Sequence, residues 1–278
     1  MSQQIVNTPI AGTFRWLKAG GTEIEVPAEQ NESYYALRKG EERTIVLEDD
    51  AAAVLFRADL EKGSVLHLIQ IRRQDGGPEG LTRTDVQVTC AEDAQFHWYR
   101  VVLGGDATYD NCSVALQGEG SSFTADIGYR LDGKDRYDAN CEAIHTGRRT
   151  ESAISASGVL SDRAHKLLRT TIDLRRGCAG AVGNENEDVL LMDETVQNVS
   201  VPMILCTEED VVGNHGASIG QPDERLLYYM ASRGIDAETA CGMLAQAKIE
   251  AVIGKIPDAQ VQARVREQLR GGDGGEEA

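Results

Sequence analysis

From Thr44 to Ser200 the chain is a succession of short β-type runs, and no helical period of useful length interrupts them. Ile45-Val46-Leu47, Ala53-Val54-Leu55-Phe56 and Val65-Leu66-His67-Leu68-Ile69 have the length and branching of strands. Asp85 to Cys90 and Gln95 to Val102 alternate with period two. Val114 to Leu116, Phe123 to Ile127, Ile154 to Ala156, Thr171 to Leu174 and Val189 to Met192 continue the series. Gly, Asn, Asp and Ser separate the runs, and Asp75-Gly76-Gly77-Pro78 is a turn. Strand centres recur about every 10–20 residues, with small residues at the corners. Such a chain folds as a sandwich, a barrel or a solenoid. In a solenoid no coil buries its own apolar face, so neighbours must stack. No strict repeat is visible, and spacing alone leaves solenoid and sandwich open.

Composition narrows the function. The 278 residues carry a net charge of −17. That balance repels phosphate backbones and anionic lipid, which argues against nucleic acid and membrane surfaces as partners. No window approaches the ~20 apolar residues of a spanning helix. The start, MSQQIVNTPIAG, lacks the basic-then-apolar layout of a secretory signal. Six cysteines, at 90, 112, 141, 178, 206 and 241, form no C-x-x-C pair. Neither a zinc ribbon nor a thioredoxin-type site is expected. Dispersed thiols of this kind fit a reducing cytoplasm, most of them packed as small apolar residues. Gly118 to Phe123 lacks the third glycine of a dinucleotide loop, and no G-K-[ST] loop or G-x-S-x-G elbow occurs. The chain is therefore expected not to hydrolyse ATP itself.

The texture changes after Gly220. Pro222-Asp223-Glu224 opens a helix, with proline in the first turn and acids at the positive end of the dipole. Leu226, Leu227 and Met230 form its apolar stripe, and Gly234 stops it. Asp236 caps a second helix from Ala237 to about Ile253, with Ala240, Met243, Leu244, Ala247 and Val252 expected inward. Asp258 starts a third, with Val261, Val265 and Leu269 on one face. Gly271 to Ala278 is a Gly/acid tail, expected to be disordered.

The junction between these textures reads Asp210-Val211-Val212-Gly213-Asn214-His215-Gly216-Ala217-Ser218-Ile219-Gly220, then Leu226 to Ile235 ending in Ser-Arg-Gly-Ile. It resembles the D-V-x-C-x-H-G-A-T-x-G junction and S-R-G-I helix of the SufB/SufD family, scaffold proteins of iron–sulfur cluster assembly. Thr13 to Lys18 resembles the family's T-W-x-W-L-K segment. Glu142 to Ser152 with Ser157 to Asp162, and Asn184 to Pro202, resemble two further family segments. The resemblance implies a mainly β fold, a right-handed parallel β-helix followed by a small C-terminal helical region. It divides the chain into a lead-in (1–43), a β-helix core (44–220), an ATPase-docking helical region (221–270) and the tail (271–278). Longer members place a helical region ahead of the T-W segment, and that region is expected to be missing here. Two departures stand out. Gly213 occupies a position where many members carry Cys. No thiol lies near Val196, where SufB-type scaffolds carry a key cysteine, so the chain is SufD-like.

The same resemblance suggests sites and partners. His215 aligns with the histidine implicated in cluster assembly at the interface with a SufB-type partner. By residue chemistry alone it could ligate iron through a neutral ring nitrogen or simply hydrogen-bond a loop. Cys206 could supply a soft thiolate, or pack at the end of an apolar strand. The family's C-terminal helices dock SufC, an ABC-type ATPase, which points to Tyr228, Tyr229, Met230 and Arg233 as contacts. The implied partners are therefore a SufC-type ATPase and a SufB-type subunit or a second copy of this chain. The implied cofactor is an iron–sulfur cluster held transiently at a subunit interface, with none bound permanently.

Other residues have plainer alternatives. Cys112, Cys141 and Cys178 follow Asn or Gly in expected turns and could relay sulfur or merely pack. His145 near Glu142 could form an acid–base pair or be structural. Asp106 with Asp110, and Asp132 with Asp135, could serve glycan cleavage, although Asp is common in such turns for its turn chemistry. Two other functions stay in view: an ATPase-binding adaptor without cluster chemistry, and a carbohydrate-active β-helix enzyme.

Overall fold

The computed structural model describes residues 2–9, 20–26, 30–48, 51–72 and 80–271. Thr13 to Lys18, the Asp75–Pro78 turn and tail residues 272–278 lie outside them.

Runs of period-two alternation become strands because alternate side chains point to opposite faces. A hairpin of β1 (Ser2–Val6) and β2 (Thr22–Val26) leads. Then follow β3 (Asn31–Leu37), β4 (Glu42–Glu48), β5 (Ala53–Leu60), β6 (Val65–Arg72), β7 (Leu81–Cys90), β8 (Gln95–Leu103) and β9 (Ala107–Leu116). Next come β10 (Ser122–Leu131), β11 (Arg136–His145), β12 (Glu151–Leu160), β13 (His165–Leu174), β14 (Ala181–Leu191), β15 (Gln197–Cys206) and β16 (Val211–Gly220). Three helices close the chain: α1 (Glu224–Ala231), α2 (Ala237–Ile253) and α3 (Ala259–Gly271).

Odd-numbered strands from β3 to β15 form one seven-stranded sheet, and even-numbered strands from β4 to β16 form the other. Every neighbour in either sheet is parallel, as in the register Ser122↔Glu151 through Leu131↔Leu160. The chain therefore crosses between facing sheets and returns one strand higher, about 30 residues per coil. This is a parallel β-solenoid. The sandwich is excluded, because its sheets are antiparallel.

One row of corners shows what repeats. Gly40, Gly63, Asp93, Gly120, Arg149 and Gly180 all have positive φ. Each donates its N–H to a carbonyl of the next coil, that of Lys62, Glu92, Glu119, Arg148, Ala179 and Asp210 respectively. The corner demands a left-handed backbone, which glycine adopts freely and aspartate tolerates. Arg149 holds it at φ 51°. Conformation recurs while residue type varies, so no repeat surfaces in the sequence.

The lumen between the sheets is the main core, running from Leu37 to Val189. Side chains in register stack along it, as Phe96 does on Phe123 with ring centroids 5.5 Å apart. Gly158 is required there. A Cβ on it would lie 1.9 Å from Cε2 of the Tyr129 ring.

Each sheet's outer face is covered in part. The β1–β2 hairpin places Val6, Ile24 and Val26 against Tyr109. It also shields a buried ion pair, in which Arg169 Nη1 reaches Asp138 Oδ1 at 2.6 Å and Asn7 Nδ2 donates to the same oxygen at 2.8 Å. Helices α2 and α3 bury Ile249, Val252, Ile253, Val261, Val265 and Leu269 against Ile69, Ile71, Tyr99, Val101 and Leu103 of the other sheet. Ion pairs Lys255–Asp126 (2.5 Å), Arg264–Glu48 (2.8 Å) and Lys248–Asp188 tie the helices to several coils.

Three helical expectations need correction. The inward residues of α2 are Ala240, Ala245, Ile249, Val252 and Ile253, while Met243 and Ala247 are exposed. The helix lies on a sheet, so its contact stripe follows 245, 249 and 252–253, and Met243 falls on the far side. Pro222 precedes the cap rather than joining the first turn. Asp223 is the N-cap, its side chain accepting from Arg225 N at 2.9 Å. The expected Leu226-Leu227-Met230 stripe stays largely open: Leu226 is exposed, Leu227 and Met230 are only partly covered, and α1 has no buried residue.

Gly158→Ala is expected to lower unfolding free energy by about 1–3 kcal/mol in urea titrations, through overpacking against Tyr129. Gly133→Ala, where a Cβ meets nothing within 4 Å but φ is +62°, should lose only about 1 kcal/mol. Equal losses would contradict the packing role of Gly158.

The open end of the solenoid as a candidate functional site

Strands β15 and β16 are the last in their sheets. Among the described residues, each leaves one row of backbone N–H and C=O groups without a strand partner. Strand β16 contains no buried residue. Val199, Val212 and Ile219 are exposed on this end at 39%, 50% and 44%. An apolar, unprotected sheet edge invites pairing with another chain.

His215 sits in the middle of β16, in register with Glu185 of β14. Strand periodicity sets its direction. Glu185 and Glu187 of β14 are buried while Asn184 and Asn186 are exposed, so the odd positions face the lumen. A Cβ on Gly213 would meet Ile204 Cγ2 at 3.1 Å and Leu174 Cδ1 at 3.6 Å, on the same side. His215 thus projects from the lumen face of the terminal strand, exposed because no coil lies above it. Asn214, on the other face, donates to Asn184 Oδ1 at 3.0 Å. The contact at Gly213 also gives a physical reason for the missing cysteine, since any side chain there needs Ile204 to shift.

Cys206 ends β15 in register with Leu174 and is exposed. It does not pack as a small apolar residue, for the same want of a covering coil. Its thiol donates to Glu208 O at 3.0 Å. Cys206 and His215 share the terminal coil but are separated by the corner at 207–210. Among the described residues no three His, Cys, Asp or Glu side chains converge as a metal site.

Beneath His215 the lumen turns polar. Lys166 and Glu187 form a buried ion pair. Lys166 Nζ also donates to Ser200 Oγ at 2.9 Å, and Tyr129 Oη donates to Glu187 Oε1 at 3.4 Å. Burial lowers the Lys166 ammonium's pKa, against the pull of Glu187. The Glu185 carboxyl is pushed up to about 7, first by burial and then by the charge of Glu187. The hydroxyl of Thr170 and the charge of Lys166 act in the opposite direction. The sequence reading missed this cluster. Its signal was legible: in Ala181, Gly183, Glu185, Glu187, Val189 two acids stand at core-facing positions of one strand.

The candidate docking residues lie on and just after α1. Tyr228 and Tyr229 are 80% and 55% exposed. Met230 is partly exposed, and Arg233 sets its guanidinium 5.2 Å from the Tyr229 ring centroid. The main contact of α1 is with α2 rather than the solenoid.

Several alternatives lose their geometry. His145 is buried, its Nδ1 and Nε2 both 2.8 Å from the hydroxyls of Thr150 and Ser152. Glu142 lies on the opposite face of β11, so the two make no acid–base pair. Cys112 and Cys141 are in register inside β9 and β11, not in turns, and are buried. Cys178 is buried at a corner, and burial pushes the Cys90 thiol up to about 12. Asp110 lies within β9, paired with buried Arg100 at 2.7 Å. Asp106 and Asp135 accept from corner backbone, Gly80 N to Asp106 Oδ2 (2.9 Å) and Asp132 N to Asp135 Oδ2 (3.0 Å), while the Asp132 carboxylate accepts from Arg130 Nε at 3.2 Å. None of these acids forms the free pair that glycoside hydrolysis uses.

The class the fold and site define is a parallel β-solenoid whose last coil exposes an apolar sheet edge and is followed by a helix with no buried residue. Residues 23–248 match the family described as SUF system FeS cluster assembly, SufBD core domain, and the chain belongs to that family. It is 28% identical over 158 residues to the iron-sulfur cluster assembly protein SufD of Bacillus subtilis (strain 168), covering 56% of this chain and 32% of that protein. It is 25% identical over 265 residues to SufB of the same organism, covering 88% and 57%. An iron-sulfur cluster assembly SufBD family protein of Staphylococcus epidermidis (strain ATCC 12228 / FDA PCI 1200) is 27% identical over 169 residues, covering 60% and 36%. The chain thus spans less than two thirds of the length of these relatives. No helix among the described residues is long and apolar enough to cross a membrane.

Native thiol titration with a chromogenic disulfide should find Cys206 reacting fast and Cys241, half-buried, more slowly. Cys90, Cys112, Cys141 and Cys178 should react only after denaturation. His145 supplies a pH test. Burial holds its pKa down at about 4 against an ordinary value of 6.5, so the fold holds the neutral ring. Unfolded chains bind the extra proton first. Stability should therefore fall as pH drops from about 6.5 to about 4, by about 3 kcal/mol, with none of this loss above pH 7. His145→Gln should flatten that part of the curve.

Proposed function

We propose that this chain is a non-catalytic scaffold subunit of a SUF-type iron–sulfur assembly complex. The observation that carries the reading is the solenoid's open end, an unpaired apolar edge bearing an exposed, lumen-side imidazole. A SufB-type subunit, or a second copy, would cover β15 and β16 and bring its own donors to His215. The iron–sulfur cluster is cargo at that seam and is held transiently. His215 would contribute a neutral ring nitrogen to iron. Cys206 is accessible and could add a thiolate, with the remaining soft ligands coming from the partner. A SufC-type ABC ATPase would dock on α1 through Tyr228, Tyr229, Met230 and Arg233. Two exposed tyrosines on a helix that buries nothing of its own support this, because aromatic anchors dominate interfaces. The complex would work in the cytoplasm. A second reading, an ATPase-binding adaptor without cluster chemistry, draws on Gly213 and on the lack of a converging ligand set among the described residues.

In the complex reconstituted with its SufB-type and SufC-type subunits, His215→Ala should cut cluster yield at least about tenfold with assembly intact. Wild-type yield would favour the adaptor. Tyr228→Ala with Tyr229→Ala should weaken ATPase co-purification by about 2 kcal/mol or more, roughly 30-fold. Undiminished co-purification would remove α1 as the docking element.

A further inference from the structure

Beside the docked helices, the outer face of the even-numbered sheet carries two stacked histidines. Leu66, Leu68, Phe96 and Trp98 fill the lumen, so period two turns His67, Ile69, His97 and Tyr99 outward. Ile69 and Tyr99 lie in the cluster that α2 and α3 cover. His67 and His97 are in register on β6 and β8, with ring centroids 4.7 Å apart and planes 13° from parallel. The Tyr99 ring continues the stack, 6.1 Å from that of His67, with its Oη 3.5 Å from His67 Nδ1. His97 Nδ1 lies 2.8 Å from Thr124 Oγ1. Both histidines are half-buried.

Neutral rings stack at this distance as aromatics do, while two imidazolium rings repel. The groups facing the stack decide what a proton costs there. Glu42 of β4 is exposed and reaches only His67 Nε2, at 3.8 Å, where water and salt screen it. Asp126 of β10 has a largely sheltered side chain and acts on His97. It already holds Lys255, in the turn after α2, at 2.5 Å. On α3, Arg264 is taken by Glu48. A charged His97 therefore sets a second cation on Asp126, against Lys255, in one of the three ion pairs that tie the helices to the sheet. Burial lowers the pKa of both rings, and the charge of His67 lowers that of His97 further. Glu42 acts against this on both rings, and Asp126 does so on His97.

We propose that the His67–His97 stack is a pH-sensitive latch for α2 and α3, holding while the rings are neutral and loosening the helices when they are protonated. Because α1 packs mainly on α2, the latch also sets how firmly the tyrosine-bearing helix is held to the solenoid. Burial makes the folded chain favour neutral rings. The latch is thus complete above the ordinary histidine value of 6.5 and is lost as pH falls below it.

The test is hydrogen–deuterium exchange of the full chain at about pH 7.5 and about pH 5.5, on either side of the histidine range, corrected for the intrinsic rate at each pH. In the wild type, protection of residues 249–269 should fall about tenfold at the lower pH. His67→Phe with His97→Phe keeps two stacked rings that cannot titrate, and its helices should hold equally at both. His145→Gln, which removes the buried histidine of the lumen, should keep the wild-type loss in the helices. Asp126→Asn should loosen the helices already at the higher pH and leave less than about threefold further loss at the lower. If the wild-type helices are equally protected at both pH values, there is no latch. A loss that persists in the double Phe variant, or that vanishes in His145→Gln, also overturns the proposal. Where the double Phe variant melts below the wild type at the higher pH, Asp126→Asn decides, and a full further loss there contradicts the latch.

Discussion

Each coil of this protein is held by the hydrogen bonds it exchanges with the coils on either side. Parallel strands in register and the left-handed corners that stack N–H on C=O make that dependence strict. The first consequence is a lumen, because facing sheets wound this way bury one side of every strand. The second is an end. Among the described residues the coil formed by β15 and β16 has a neighbour below and none above, so its edge groups, its apolar residues and its lumen-side residues are exposed together. Position on that coil brings His215 and Cys206 to the surface.

The lumen is not uniformly apolar. Most of it is filled by stacked Phe, Leu, Val and Tyr side chains, but the Arg100–Asp110 pair faces it midway, and toward the open end Lys166, Glu185 and Glu187 do so. Ionisable groups in such a place oppose folding unless paired and hydrogen-bonded. One pair and several hydroxyls offset most of that opposition here. What is left, one carboxyl pushed up by burial, lies a single strand from the exposed imidazole. Outside the sheets, the helices are latched over several coils by apolar contacts and three ion pairs. The main contact of α1 is with α2, and with no buried residue of its own it gives the chain a second surface, different in kind from the first.

Much of the fold was legible in the sequence because period two survives in nearly every strand. Asp85 to Cys90 and Gln95 to Val102 are plain examples. The choice between solenoid and sandwich was not legible from spacing, because the corners repeat a dihedral angle that Gly40, Asp93 and Arg149 satisfy with different side chains. The junction around His215 and the helix after it pointed to the family directly. Burial was harder to read. Met243 was expected inward and is exposed, since the phase of α2 is set by the sheet it crosses. Cys206 has the look of a core cysteine, and only its place on the last coil exposes it. Glu185 and Glu187 were overlooked because acids in a strand are normally read as its solvent face. Their odd-numbered phase, shared with Val189, places them inside.

The account stands on the open edge being the surface through which this chain joins another. Backbone hydrogen–deuterium exchange, compared between the isolated chain and the assembled complex, tests that most directly. The amides of residues 197–220 that point away from β13 and β14 should exchange rapidly alone and become strongly protected on assembly, while those of β9 to β12 stay protected in both. Unchanged exchange along β15 and β16 in a complex shown to be intact would contradict it.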